Sequence, residues 1–312
     1  MSAFRALILA ALCLAFVVVV VGAYVRLSDA GLGCPDWPLC YGLPMPGSEL
    51  GGGALERAWK EMGHRYLAGT LGLAILAIFF LAWRLRASRA LAAALVLVVA
   101  FQATLGMWTV TLLLKPAIVT AHLLGGMATL ALLLLLFLEQ GANAPADPRA
   151  RELRTPALCA LLVVIAQIVL GGWVSANYAA LACPDLPLCQ GTVLPAMDFG
   201  NAFHVTRELG YTSAGELLSR EALTAVHWSH RVGALIVVAV VGWAAWTSRR
   251  VFARLATIIA LLLALQFSLG VANVAAGLPL ALAAAHNAGA ALLLAALVVL
   301  NFFSFRGLRL DQ

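Results

Sequence analysis

Apolar runs of about twenty residues, separated by short polar stretches, set the rhythm of this chain from end to end. A helix needs about twenty apolar residues to cross the hydrocarbon core of a bilayer. On that criterion the pattern predicts spans at 6–25, 65–83, 90–112, 117–138, 156–178, 228–247, 254–275 and 281–303. Two of the breaks are tight turns, at Lys115-Pro116 and at Gly277-Leu278-Pro279. Proline there ends one helix and suits the first turn of the next. The first apolar run exceeds the roughly 7–15 residues of a signal-peptide core, and Tyr24, Val25 and Arg26 stand where small residues would mark cleavage. It is read as a retained first helix.

Composition makes the membrane reading firm. Of 312 residues 63% are hydrophobic and 11% charged, against roughly a quarter charged in soluble domains. A water-soluble fold cannot hide that much apolar surface. The net charge of +6 does not point to nucleic acid, because the basic residues sit in short runs between apolar segments. Arg5, Arg84/Arg86/Arg89, Arg149/Arg151/Arg154, Arg249/Arg250/Arg254 and Arg306/Arg309 all fall on one side of an eight-span topology. The positive-inside rule makes that side cytoplasmic, with both termini inside and the long loops, 26–64 and 179–227, outside. Those loops hold Cys34, Cys40, Cys183 and Cys189, while Cys13 and Cys159 lie within spans. Cysteine pairs confined to the outer face fit a periplasmic, disulfide-permissive compartment of an inner-membrane protein.

The chain also repeats itself. Cys34-Pro-Asp-Trp-Pro-Leu-Cys40 returns as Cys183-Pro-Asp-Leu-Pro-Leu-Cys189. His64-Arg65 is matched by His230-Arg231, and Gln102-Ala-Thr-Leu-Gly106 by Gln266-Phe-Ser-Leu-Gly270. His122 and His286 then open the fourth span of each half. Four spans per half is an even number, so both copies share one orientation. The predicted fold is all-α and polytopic: eight transmembrane helices arranged as two tandem, pseudo-symmetric four-helix bundles. Residues 1–140 form the N-terminal half, 141–155 a cytoplasmic linker and 156–312 the C-terminal half.

On this topology His64 and His122 lie at the outer ends of the second and fourth spans, and His230 and His286 at the same depth on the sixth and eighth. Ionisable side chains at membrane depth are costly and by default suggest function. Two imidazoles facing each other across a four-helix bundle suit bis-axial ligation of a heme iron. Zinc is less well served, since two imidazoles per half fall short of the three or four ligands it prefers. Glu61, three residues before His64, shares its helical face if the helix begins that early. Alternatively it is an acidic residue near a helix N-terminus, with Arg57 four residues before it. His227 occupies the matching place in the second half, so only one half offers a carboxylate beside its histidine pair. That asymmetry suggests chemistry in one half and a held cofactor in the other. A bridge within each cysteine pair, Cys34–Cys40 and Cys183–Cys189, closes a short ring worth about 2 kcal/mol, with a redox role as the alternative. Arg65 and Arg231 are candidates to pair with heme propionates or to face lipid headgroups.

Taken together, Glu61-Met-Gly-His64-Arg65, His122, His230-Arg231, His286 and the two outer cysteine loops resemble the heme A synthase family. Members are membrane enzymes that oxidise heme O to heme A for terminal oxidases, and the resemblance covers nearly the whole chain. It implies a heme b cofactor ligated by His230 and His286, and the substrate heme O, later heme A, held through its iron by His64 and His122. It implies that Glu61 acts on the reacting methyl group, which becomes a formyl with water as the oxygen source. It further implies, as partners, the lipid bilayer, heme O synthase, an electron acceptor and a second copy of the chain. His227 has no assigned role in that pattern, and His204, in the longer second loop, is expected at the surface. Two rivals stand beside this reading. A two-heme cytochrome b that only relays electrons explains the histidines equally well, but not the contrast of Glu61 with His227. A duplicated transporter with histidine proton relays predicts polar residues near mid-bilayer, for which Gln102 and Gln266 are the main candidates.

Overall fold

A computed structural model describes residues 2–141 and 145–308. Arg309, one of the basic residues used for orientation, and positions 142–144 of the expected linker lie outside the described residues. The chain runs α1 (Ala3–Leu27), α2 (Gly52–Leu85), α3 (Arg89–Thr111), α4 (Pro116–Glu139), a 3-10 turn (Pro148–Leu153), α5 (Arg154–Ala176), the short α6 (Phe199–Ala202), α7 (Arg220–Ser248), α8 (Ala253–Ala275) and α9 (Leu280–Arg306). Eight of these are long and apolar enough to cross a membrane. The chain is an all-helical, multi-pass membrane protein. Among the described residues the only pairings outside helices are isolated bridges.

The predicted breaks hold. Pro116 starts α4, and Pro279 caps the N-terminus of α9. Two helix starts differ from expectation. Instead of starting at 65, α2 starts at Gly52, and instead of starting at 228, α7 starts at Arg220. Charged residues stand in these opening stretches, Glu56, Arg57, Lys60 and Glu61 in α2 and Arg220 and Glu221 in α7, so a hydropathy criterion cannot see them. Local chemistry holds them: Lys60 pairs with Glu56 at 2.7 Å, and the Ser219 hydroxyl accepts from the Ala222 amide at 3.2 Å. The consequence reaches the histidines. His64 and His230 lie well inside their helices rather than at the outer ends, and the loops between shrink accordingly.

Packing follows a simple order. α1, α2, α3 and α4 each pack on the next, and α4 closes on α1; α5, α7, α8 and α9 do the same. The two rings of contacts meet where α9 touches α1 and α4, and where α4 touches α5. One hydrophobic core runs through all of them, including Ile8, Ile75, Leu133, Ile259, Leu297 and Leu300. Polar contacts reinforce the seam. Buried Asn301 donates to the Ala157 carbonyl at 2.8 Å, tying α9 to α5. At the opposite end Arg26 donates to the Ser175 carbonyl at 3.0 Å and lies over the Tyr178 ring. The Tyr178 hydroxyl bonds Asp29 and Lys115 pairs with Glu208. Leu73, Phe80, Leu97, Trp246 and Leu261 face outward and exposed. On a membrane protein that is where hydrocarbon chains replace water as the solvent.

Candidate functional site

Each of the four predicted histidines sits opposite a glycine of the neighbouring helix. A methyl group on Gly22 of α1 would stand 2.8 Å from Cε1 of His64 on α2. The corresponding distances are 3.3 Å from Gly106 to His122, 3.1 Å from Gly171 to His230 and 3.2 Å from Gly270 to His286. Any side chain at these places would press on an imidazole. Each ring therefore meets bare helix backbone with its Cε1 corner nearest, a cradle that fixes its position without a bond. His64 and His122 feel one another's charge, as do His230 and His286. The Nδ1 atoms of His64, His122 and His286 are buried without a protein partner. Among the described residues no cluster of three or more His, Cys, Asp or Glu gathers as a metal site.

A second layer rests on glutamine. Gln102 donates to the His122 carbonyl at 2.8 Å. The Gln167 amide nitrogen lies 3.0 Å from Nδ1 of His230 and donates to the His230 carbonyl at 2.9 Å. The Gln266 amide nitrogen lies 3.3 Å from Nε2 of His286. Gln102 and Gln266, considered above as polar groups at mid-bilayer, are thus attached to the histidines. Sequence reasoning gave Gln167 no role. The signal was there, since Gln167 and Gly171 repeat the Gln-x-x-x-Gly spacing already seen at 102–106 and 266–270. A spacing of four puts both residues on one helix face.

Above the histidines the two cysteine loops are built alike. Cys34–Cys40 and Cys183–Cys189 are both bridged. In the first loop the Asp36 carboxylate accepts from the Tyr41 and Gly42 amides at 2.6 and 2.8 Å; Asp185 accepts from Gln190 and Gly191 at the same distances. Both turns use a left-handed pair, Tyr41-Gly42 and Gln190-Gly191, which the glycines accommodate without steric cost. For Asp185 the Gly191 amide, and after it the Gln190 amide, hold the carboxyl below the usual carboxylate range. Donors aimed at a carboxylate favour its charged form.

Arginine ties each loop to the helix beneath. Arg65 donates to the carbonyls of Asp36 and Leu39 at 3.0 and 2.7 Å. Arg231 donates to those of Asp185 and Leu188 at 2.9 and 2.8 Å. These two guanidinium groups, expected at propionates or headgroups, are engaged by loop carbonyls. Glu61 and His227 complete the joint. Glu61 accepts from the Cys34 amide at 2.9 Å and is ion-paired to Arg65; Nδ1 of His227 accepts from the Cys183 amide at 3.2 Å, and its Nε2 faces Arg231 at 3.3 Å. Both are buried. Glu61 lies more than two turns into α2, not at its N-terminus, and its partner is Arg65 rather than Arg57. His227 therefore has a place: it does for the second loop what Glu61 does for the first, without the negative charge. His204 is half-buried in the second loop, its Nδ1 3.3 Å from the Thr206 hydroxyl.

Fold and site together describe a polytopic membrane protein that cradles four histidines in two pairs beneath two disulfide-closed loops. The chain belongs to the family of cytochrome oxidase assembly proteins, whose model matches residues 5–51 and 52–298. It is 43% identical to a heme A synthase of Shewanella oneidensis over 92% of both chains. It is 30% identical to a heme A synthase of Caulobacter sp. (strain K31) over 90% of both, and 31% identical to that of Halalkalibacterium halodurans over 69% of this chain and 72% of the relative. The resemblance read from the motifs is borne out by these matches.

Proposed function

We propose that this chain is a heme A synthase, an oxidoreductase that converts a methyl group of heme O to the formyl group of heme A. The observation that carries the reading is the set of four glycine-cradled imidazoles, paired His64 with His122 and His230 with His286. The relatives' shared name supplies the substrate. The donor set suits heme iron: two imidazoles per site, Nδ1 of His64, His122 and His286 left without a protein partner, and no third ligand in competition.

In this reading residues 1–140 bind the substrate heme through His64 and His122, and residues 156–312 hold heme b through His230 and His286, as two tandem bundles joined by the linker 141–155. A heme b held there supplies a one-electron carrier. Oxidation of methyl to formyl takes up one water and releases four electrons and four protons, so the site needs a proton acceptor and an outlet for charge. Glu61, on the same helix face as His64, takes up a proton at Oε1 or Oε2, or opposes the positive charge that develops at the reacting carbon. Arg65 and the Cys34 amide hold that carboxylate in one orientation. His227 keeps the second loop in place without a carboxylate's negative charge, its Nδ1 lone pair taken by the Cys183 amide. Electrons leave to an acceptor beyond the chain. The arginine distribution supports a topology with both termini in the cytoplasm and the cysteine loops in the periplasm of an inner membrane, where heme O synthase and a second copy of the chain are candidate neighbours.

Pigment extraction tests this. The purified protein should release both protoheme and heme O or heme A. Protoheme alone identifies a relay cytochrome b, and a colourless protein identifies a transporter.

A further inference from the structure

Three of the four histidines share a construction that the fourth lacks. His122, His230 and His286 each face a Gln-x-x-x-Gly pair on the adjacent helix, and each is followed three residues later by glycine: Gly125, Gly233 and Gly289. Those glycines make room for the amides. A side chain at any of them would collide with Oε1 of Gln102, Gln167 or Gln266 respectively. At His64 both elements are replaced. Val18 stands four residues before Gly22, and Leu67 stands where the glycine would be. Val18 packs against the hydrophobic core; Nδ1 of His64 is buried with no partner, as are those of His122 and His286, but His64 has no glutamine on the facing turn.

The chemistry of the amide gives this difference a consequence. An imidazole that binds iron through Nε2 carries its proton on Nδ1, and that proton needs an acceptor. Oε1 of Gln102, Gln167 and Gln266 is buried and unpartnered, on amides whose nitrogens lie at the His122 carbonyl, at Nδ1 of His230 and at Nε2 of His286, so each histidine has a spare acceptor that a turn of the amide, and at His286 of the ring, brings to Nδ1. At His230 the amide already touches Nδ1, and a half-turn of the amide presents the oxygen. A hydrogen bond to the far nitrogen of a ligating imidazole fixes ring orientation and raises ligand basicity, and its loss typically costs about 10–100-fold in metal affinity. Valine and leucine supply no acceptor at His64.

We propose that the paired glutamine and glycine form a seat that holds His122, His230 and His286 firmly as heme ligands, and that its absence makes His64 the labile ligand through which the substrate heme is taken in and released. The inference rests on the ligand reading above. It explains how one architecture retains one heme and exchanges another: the resident group has two seated ligands, the passing one has one.

Transfer of heme from the purified, heme-loaded protein to excess apomyoglobin reads the effect directly and does not depend on turnover. Gln167→Leu and Gln266→Leu are expected to speed protoheme loss about tenfold or more. The double variant Val18→Gln/Leu67→Gly installs the seat at His64 and is expected to slow loss of the heme from the N-terminal half by a similar factor, with protoheme release unchanged. Wild-type rates in the glutamine variants, or in the double variant, overturn the proposal. His230→Ala is the control that separates the two levels: full protoheme retention there overturns the ligand assignment itself, whereas its loss alongside an unaltered Gln167→Leu overturns only the seat.

Discussion

The two cysteine loops are nearly interchangeable in backbone and differ in one charge. Each is closed by a disulfide, turned by an aspartate that collects two amides, and pinned by an arginine that reaches two loop carbonyls. Under the first lies Glu61; under the second lies His227. Holding a loop in place needs an acceptor for one buried amide, and either residue provides it. Only the carboxylate also brings a negative charge beside a histidine pair; the lone pair at Nδ1 of His227 is taken by the Cys183 amide. The comparison separates what the architecture requires from what the chemistry requires.

The strongest test removes the charge and keeps the joint. Glu61→Gln retains an acceptor for the Cys34 amide, so the protein should accumulate and bind protoheme normally while heme A formation drops to background. Product at the wild-type rate ends the catalytic assignment. Glu61→Ala is a blunter variant, because it leaves the largely buried Arg65 unpaired, which typically costs about 3 kcal/mol, and should lower both yield and activity. The histidines sharpen the comparison between halves. His64→Ala should lose heme O conversion with the protoheme spectrum intact, and His286→Ala should lose the protoheme band. A protoheme band lost in the first variant and kept in the second would reverse the roles of the halves.

The next effect down is structural. Cys34→Ser and Cys183→Ser each open a ring of the same size, and each should lower stability by about 2 kcal/mol, seen as matched falls in the thermal midpoint of the detergent-solubilised protein. A much greater loss of activity in Cys34→Ser at equal stability would show that the first bridge does more than close a ring.

Much of this was legible in the sequence because it depends on residue type at fixed intervals. Eight spans, the turns at Pro116 and Pro279, the loop disulfides and the four histidines all follow from apolar run length or from the repeat. What escaped was set by packing and by charged helix starts. The early starts of α2 and α7 carry charged residues, so a hydropathy criterion passes over them, and with them went the position of Glu61 inside its helix. For Arg65 and Arg231 the sequence offers heme propionates or lipid headgroups as partners, because charge at a helix end normally seeks phosphate, carboxylate or water. Here the carbonyls of a tight disulfide loop stand nearer, and no linear pattern announces a carbonyl. Gln167 was hidden for a different reason: its partner motif in the first half is Val18, so comparing the halves removed it from view.

The smallest effect concerns the second loop alone. Asp185 is half-buried, and the Gly191 and Gln190 amides hold its carboxyl below the ordinary value of 3.8. A carboxyl whose folded value is depressed stabilises the fold when ionised. That contribution is complete above the unfolded value and is lost as pH falls from 3.8 toward the lowered folded one. The protein should therefore become slightly less stable as the medium is acidified through that window, and Asp185→Asn should remove this part of the dependence. Hydrogen exchange at the Gly191 and Gln190 amides reads the same event locally. Their protection should be reduced at all pH values in Asp185→Asn, while the Tyr41 and Gly42 amides of the first loop keep theirs. If protection at Gly191 is unchanged by the substitution, the turn is held by the disulfide and by Arg231 without the aspartate, and the likeness of the two loops rests on fewer contacts than their geometry suggests.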